Sequence, residues 1–333
     1  MIRRLPAPLT ALAAFAALGL AAAAQTPAAK DQTAAKAAAP KFRTPDGQPD
    51  ISGVWSNVST VPFERPQNLG AKEFYTQDEF RELEARRNQP RPAAADRPGT
   101  AADVHYDVSQ FGLDRSHAAQ AASLRTSQVT GPEGRVPPQL PEAQARQAAR
   151  QAAQRGHQFD GPENRGLAER CILWGNEGPP MISAGYNANM QIVQGQGYVA
   201  ILQEMIHDVR IIPLDGRPHL PSNVKQWFGD SRGRWEGETL VVETTNFTDK
   251  TAFRGSGEKL KVMERFSRAD AETLKYEFTV EDPTTWAKPW SAEALMARIS
   301  NPIYEYACQE GNYGMPNILS GARATEREAA QKQ

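Results

Sequence analysis

From Gly166 onward the chain alternates short apolar runs with turns built on Gly, Pro, Asn and Asp, and many of these turns are too short to hold a helix. That pattern decides the fold class. Strand-like runs occupy 189–194, 198–206, 208–214, 239–246, 258–267, 272–281, 292–299 and 302–308. Gly195-Gln196-Gly197, Glu236-Gly237, Asp282-Pro283 and Asn301-Pro302 separate many of them. Connections of this length join antiparallel neighbours, whereas parallel strands need a helical crossover of about a dozen residues. The sequence therefore predicts a mainly β protein, an antiparallel meander forming a barrel or sandwich, since either arrangement protects the sheet edges.

The period-2 pattern places side chains on faces. In 272–281, Leu274, Tyr276, Phe278 and Val280 share one face, and Lys275, Glu277, Thr279 and Glu281 the other. The run 258–267 breaks the rule, because Glu264 shares a face with Leu260, Val262 and Phe266. A carboxylate on an apolar face either pairs with an arginine or lines a cavity, and both readings stay open. A further strand is expected at 50–58, DISGVWSNV, after the turn signal TPDGQP.

The rest of the chain is more polar. Thr76 and Glu79 form a capping box, with Tyr75 and Phe80 at the staple positions, so a helix is expected over 76–88 and is stopped by Pro90. Pro141–Arg155 is a second helix former with almost no large apolar face, hence solvent-exposed, and 123–130 has the composition of a strand. His105, His117 and His157 read as surface histidines. Arg3 and Arg4, an apolar stretch to Ala24 and the small residues Ala22-Ala23-Ala24 mark 1–24 as a signal peptide. Its apolar core is short against the roughly 20 residues of a membrane span. The expected organisation is a disordered tether at 25–45, one β-rich domain at 46–325 with a polar, helical and partly disordered insertion at about 72–165, and a disordered tail at 326–333. No later run is apolar enough to span a bilayer, so a periplasmic or secreted protein is expected.

The formal net charge of −1 provides no field for nucleic acid or an anionic membrane. The two cysteines, Cys171 and Cys308, flank the strand block. In an exported protein they are most simply one disulfide, the alternative being free thiols with one nucleophilic.

The chemistry candidates lie in GYVAILQEMIHDVRIIPLDGRPHL, 197–220, where an apolar run leads into His207, Asp208 and Arg210, with His219 beyond. Charged groups in an apolar strand cost free energy unless paired or used. On a strand continuing through 208, His207 and Asp208 point to opposite faces, so His207 needs a carboxylate from another strand, Glu264 or Glu277. In that geometry His207 is a proton shuttle and Glu264 its partner or a second base; a structural histidine is the alternative. His207, His219, Asp208 and Asp230 match no metal motif, so no metal and no cofactor is expected. Arg210, Arg217, Arg232, Arg234 and Arg254 suit an anion clamp, or, around GDSRGRWEG, a hairpin with surface ion pairs. There is no G-x-S-x-G elbow. Trp227, Trp235, Trp286 and Trp290 are either ligand-stacking surfaces or packing.

The stretches LAERCI, GPPM, IHDVRIIPLDGRPHLP, GDSRGRWEGETLVVETTNFTDKTAFRG, YEFTVEDPTTW and YEYACQEGNYGM resemble a family of exported bacterial proteins without a settled activity. The resemblance is strongest over about 166–324 and implies an exported, single-domain, β-rich architecture. More loosely, Gly53-Val54-Trp55 is similar to the G-x-W on the first strand of lipocalin-like barrels. The expectation is a pocket for a small amphipathic, anionic or aromatic molecule, with His207 and Glu264 catalytic and Arg210, His219, Arg254, Asp208, Asp230, Trp235 and Tyr276 binding. Its function is either acid/base lyase, hydratase or isomerase chemistry, or non-catalytic carriage or carbohydrate binding.

Overall fold

The computed structural model describes residues 42–87, 119–175, 177–183, 187–250 and 253–332. The expected signal peptide, most of the expected tether and residues 88–118 of the insertion lie outside them.

Nine strands form one sheet: β1 (Gly53–Ser56), β2 (Asn189–Gly195), β3 (Tyr198–Gln203), β4 (Val209–Pro213), β5 (Asp230–Glu236), β6 (Thr239–Thr245), β7 (Lys261–Arg268), β8 (Thr273–Glu281) and β9 (Trp290–Ile299). Their order is β4-β3-β2-β1-β9-β8-β7-β6-β5, and every neighbouring pair is antiparallel. Two meanders, β2 to β4 and β5 to β9, are thus joined side by side through β1. This is the antiparallel, mainly β architecture that the short turns predict.

The sheet is not closed into a barrel. An odd number of alternating strands leaves the two edges, β4 and β5, running in the same direction, so no antiparallel ladder can form across the seam. The sheet nevertheless curls until its inner face forms one core, in which Met190, Ile201 and Ile212 join Val242, Phe266 and Tyr276. A Cβ on Gly233 of β5 would lie 2.8 Å from Ile212 Cγ2 and 2.6 Å from Leu214 Cδ2, so glycine is what lets the edges touch there.

Two expected strands are corrected. The strand at 198–206 ends at Gln203, because Ile206 and His207 both take positive φ (61° and 62°) and turn the chain back. The run 302–308 is not a strand; β9 is already paired on both sides by β8 and β1, so it has no edge to join. The segment 229–237 is a hairpin arm with ion pairs, as read: it holds edge strand β5, which pairs with β6, and Arg234 and Glu236 pair at its exposed tip, 2.6 Å apart.

Helix α1 (Gln77–Arg87) carries the expected capping box, with Glu79 N–H donating to Thr76 Oγ1 at 3.2 Å and Thr76 N–H to Glu79 Oε2 at 2.8 Å. Helix α2 (Pro141–Gln154) buries only Ala143, as its composition requires. A third helix, α3 (Gly314–Gln331), buries none of its residues and runs through most of the stretch expected as a tail. Cys171 and Cys308 are disulfide-bonded. No helix among the described residues is long and apolar enough to cross a membrane.

The β8–β9 connection is held by Asp282. Its buried carboxylate accepts from Gly257 N–H (3.1 Å), Thr284 N–H (2.9 Å), Thr284 Oγ1 (2.6 Å) and Thr285 Oγ1 (2.9 Å). Burial pushes its pKa up, but these donors overrule burial and hold it below the ordinary value. A depressed carboxylate stabilises the fold above its unfolded pKa, and that contribution is lost as pH falls through the folded pKa. Asp282→Ala should cost about 2–3 kcal/mol near neutrality, a deficit that urea melts should show shrinking below about pH 4. A pH-independent deficit would contradict this account.

Candidate functional site

Where β4 and β5 diverge, a cleft of about 570 Å³ opens. Asp208, Arg210 and Ile211 form one wall, Asp230 and Ser231 the other, and the crossover 214–229 adds Trp227. The volume lies within the roughly 300–1,000 Å³ of small-ligand sites. The cleft follows from topology, since strands that cannot pair are free to splay.

Beneath it lies the polar centre of the core. Arg210 faces inward from β4 and donates from Nη1 to Glu264 Oε2 (2.7 Å) and from Nη2 to Oε1 (3.1 Å). Tyr276 Oη donates to Glu264 Oε1 at 2.8 Å and accepts from Met181 N–H at 2.9 Å. Glu264 and Tyr276 are fully buried. Burial, and then the neighbouring Glu264 carboxylate, push the Tyr276 phenol well above its ordinary pKa, so it stays a neutral donor. Of the two readings of Glu264, the structure realises the arginine pair.

That pairing leaves Arg210 electrically matched, with two of its five N–H donors spent on Glu264. The cleft's Lys225 is paired too, 3.4 Å from Glu258. Asp230 is the most heavily engaged. Its Oδ2 meets His219 Nδ1 at 2.7 Å and Leu220 N–H at 3.0 Å, and its Oδ1 meets Arg232 Nη1 at 2.6 Å. On the far side of the ring, His219 Nε2 lies 3.3 Å from Glu243 Oε1. Glu243 is held below the ordinary carboxylate range chiefly by its hydrogen bond to Lys261, against partial burial, with His219 assisting. His219 thus straddles β5 and β6 and pins the crossover. Asp208 differs: its Oδ1 accepts from Val209 N–H at 2.8 Å, and it has no ion-pair partner among the described residues.

The cleft thus gathers Asp208, Arg210 and Asp230 of the expected set, with His219 behind Asp230 and Glu264 and Tyr276 behind Arg210. His207 is not brought to it. In the turn 204–207 its side chain is exposed, while Glu264 is occupied by Arg210 and Tyr276. The turn residue that packs inward is Met205, and Glu204 is held by Asn187 and Asn189, both at 2.8 Å. Arg254 stacks elsewhere, 4.2 Å from the Phe63 ring centroid, where burial pushes its pKa down. Trp235 packs against the core and donates to Gln48 Oε1 at 3.0 Å. Trp286 and Trp290 are core residues in edge-to-face contact at 5.7 Å. Lys225 and Gln203 line the cleft without any signal in the sequence. No grouping of three or more His, Cys, Asp or Glu suited to a metal ion occurs among the described residues.

Comparison with family models, with curated proteins and with solved structures returned no match.

Proposed function

We propose that the chain is an exported binding protein that holds a small amphipathic ligand in the cleft between β4 and β5. The observation that carries this is the cleft itself, which brings donors from Arg210, the Asp208 carboxylate and the Trp227 ring to one space between unpaired strands. Binding without turnover fits better than acid/base catalysis, because Glu264 is committed to Arg210 and Tyr276 and His207 lies in an exposed turn. An amphipathic ligand fits better than a strongly anionic one, because Arg210 and Lys225 already face carboxylates. An oxidised disulfide suits an exported protein.

The test is a screen of amphipathic fragments by backbone NMR of the full chain. Saturable shifts should map to Ile211, Trp227 and Ser231, the ligand should be recovered unchanged, and Trp227→Ala should weaken binding at least tenfold with little change in melting temperature. Shifts scattered over the surface, or a ligand chemically altered in step with His207, would sink the proposal.

A further inference from the structure

The cleft's walls are strand edges as well as side chains, and this gives the ligand a class. In the β3–β4 ladder, Gln203 N–H bonds Asp208 O at 2.9 Å and Leu214 N–H bonds Gly197 O at 2.8 Å. The even-numbered residues of β4 therefore face β3, and Val209 and Ile211 turn their backbone groups outward. On β5, the two-residue turn at 237–238 closes on the Glu236–Thr239 pair, so even-numbered residues face β6 and Ser231 and Gly233 face the seam. The Ser231 carbonyl is engaged by Arg232 Nη1 at 2.7 Å, whereas its N–H has no partner across the seam among the described residues. The cleft thus presents the N–H and C=O of Ile211 on one wall and the N–H of Ser231 on the other.

Because β4 and β5 run in the same direction, a strand between them would be antiparallel to both. It would be the tenth strand, and an even number is what an all-antiparallel sheet needs to close. Such an occupant must carry alternating donors and acceptors along an extended line, which is the chemistry of a peptide backbone. Among the described residues, Asp208 on these walls has no ion-pair partner, and its charge suits a basic side chain best. We infer that the cleft's ligand is a short extended peptide bearing a lysine or arginine, which enters the open end of the seam and completes the sheet. The inference rests on the cleft being the ligand site.

The test uses an array of capped pentapeptides of varied sequence probed with the full chain, followed by calorimetry on the binders. Binders should be enriched in Lys or Arg, and Asp208→Asn should weaken those at least tenfold. N-methylation of either alternate set of peptide amides should cost tenfold or more, because both edges of the inserted strand are paired; addition to one edge alone would make only one set sensitive. Ile211→Pro removes an outward N–H that β3 does not use, so it should keep the fold, as proline does on an edge strand, and lose the peptide. The N-methylated peptides test the same hydrogen bonds should that variant fail to fold. Fragments binding in the cleft while no peptide does would overturn this inference and leave the cleft reading standing; neither binding would overturn both. Binders indifferent to N-methylation, or self-association of the chain abolished by Ile211→Pro, would also overturn it.

Discussion

Replacing Glu264 with alanine should cost about 3–5 kcal/mol, the range for breaking a buried ion pair from one side. The change strands the Arg210 guanidinium, whose side chain is only 11% exposed, and leaves the Tyr276 hydroxyl without its acceptor. The effect reaches beyond one site, because Arg210 sits on the edge strand β4 while Glu264 and Tyr276 sit on β7 and β8. The triad is a tie across the inside of the curled sheet, standing in for the ladder that the β4–β5 seam lacks. Urea melts should show the loss, and hydrogen exchange should show β4 opening first. The pair need not be net stabilising: Arg210→Met with Glu264→Leu and Tyr276→Phe restores apolar volume and should recover most of the deficit. If Glu264→Ala alone costs under about 1 kcal/mol, the tie is not what holds the edge.

The same triad sets an alkaline limit. Tyr276 has its pKa raised in the folded state, first by burial and then by Glu264. A raised pKa contributes stability that is complete below the unfolded value, near 10 for tyrosine, and is lost as pH rises through the folded value. Stability should therefore decline above about pH 10, and Tyr276→Phe, though less stable at neutrality, should show a shallower decline.

Much of this architecture was legible because it is local. The alternation in 272–281 and the capping box at Thr76 and Glu79 depend on neighbours within a few residues, and they appear where expected. Glu264 stood out as a carboxylate on an apolar stripe, yet its partner could not be read, since Arg210 is 54 residues away. The turn at 204–207 was hidden by its own composition: Ile206 is β-branched and His207 bulky, and neither advertises positive φ. A strand continued through that turn would set His207 on the same face as Val199 and Ile201, whereas the turn leaves it exposed and Glu264 bonded to Arg210 and Tyr276. The cleft had no sequence signal of its own, because it arises from the parity of strands across the whole sheet.

Removing the disulfide should act on two scales. Cys171 and Cys308 are 137 residues apart, and the chain-entropy model gives about 5 kcal/mol for a loop of that size, with about 2–5 kcal/mol typical when native bridges are lost. The Cys171→Ser, Cys308→Ser double variant should fall short of the upper figure, because its native state gains freedom too. Helix α3 buries none of its residues; just before it Asn312 Nδ2 donates to Glu169 O at 3.2 Å, and within it Arg323 Nη2 donates to Phe159 O at 2.9 Å. Released from Cys171, residues 300–331 should lose their hydrogen-exchange protection outright, while β6 to β8 exchange only through global unfolding, faster by the stability lost. Urea melts should place that loss at about 2–4 kcal/mol. If α3 keeps wild-type protection in the double variant, the bridge is not its anchor, and the helix must be held by its own side-chain contacts.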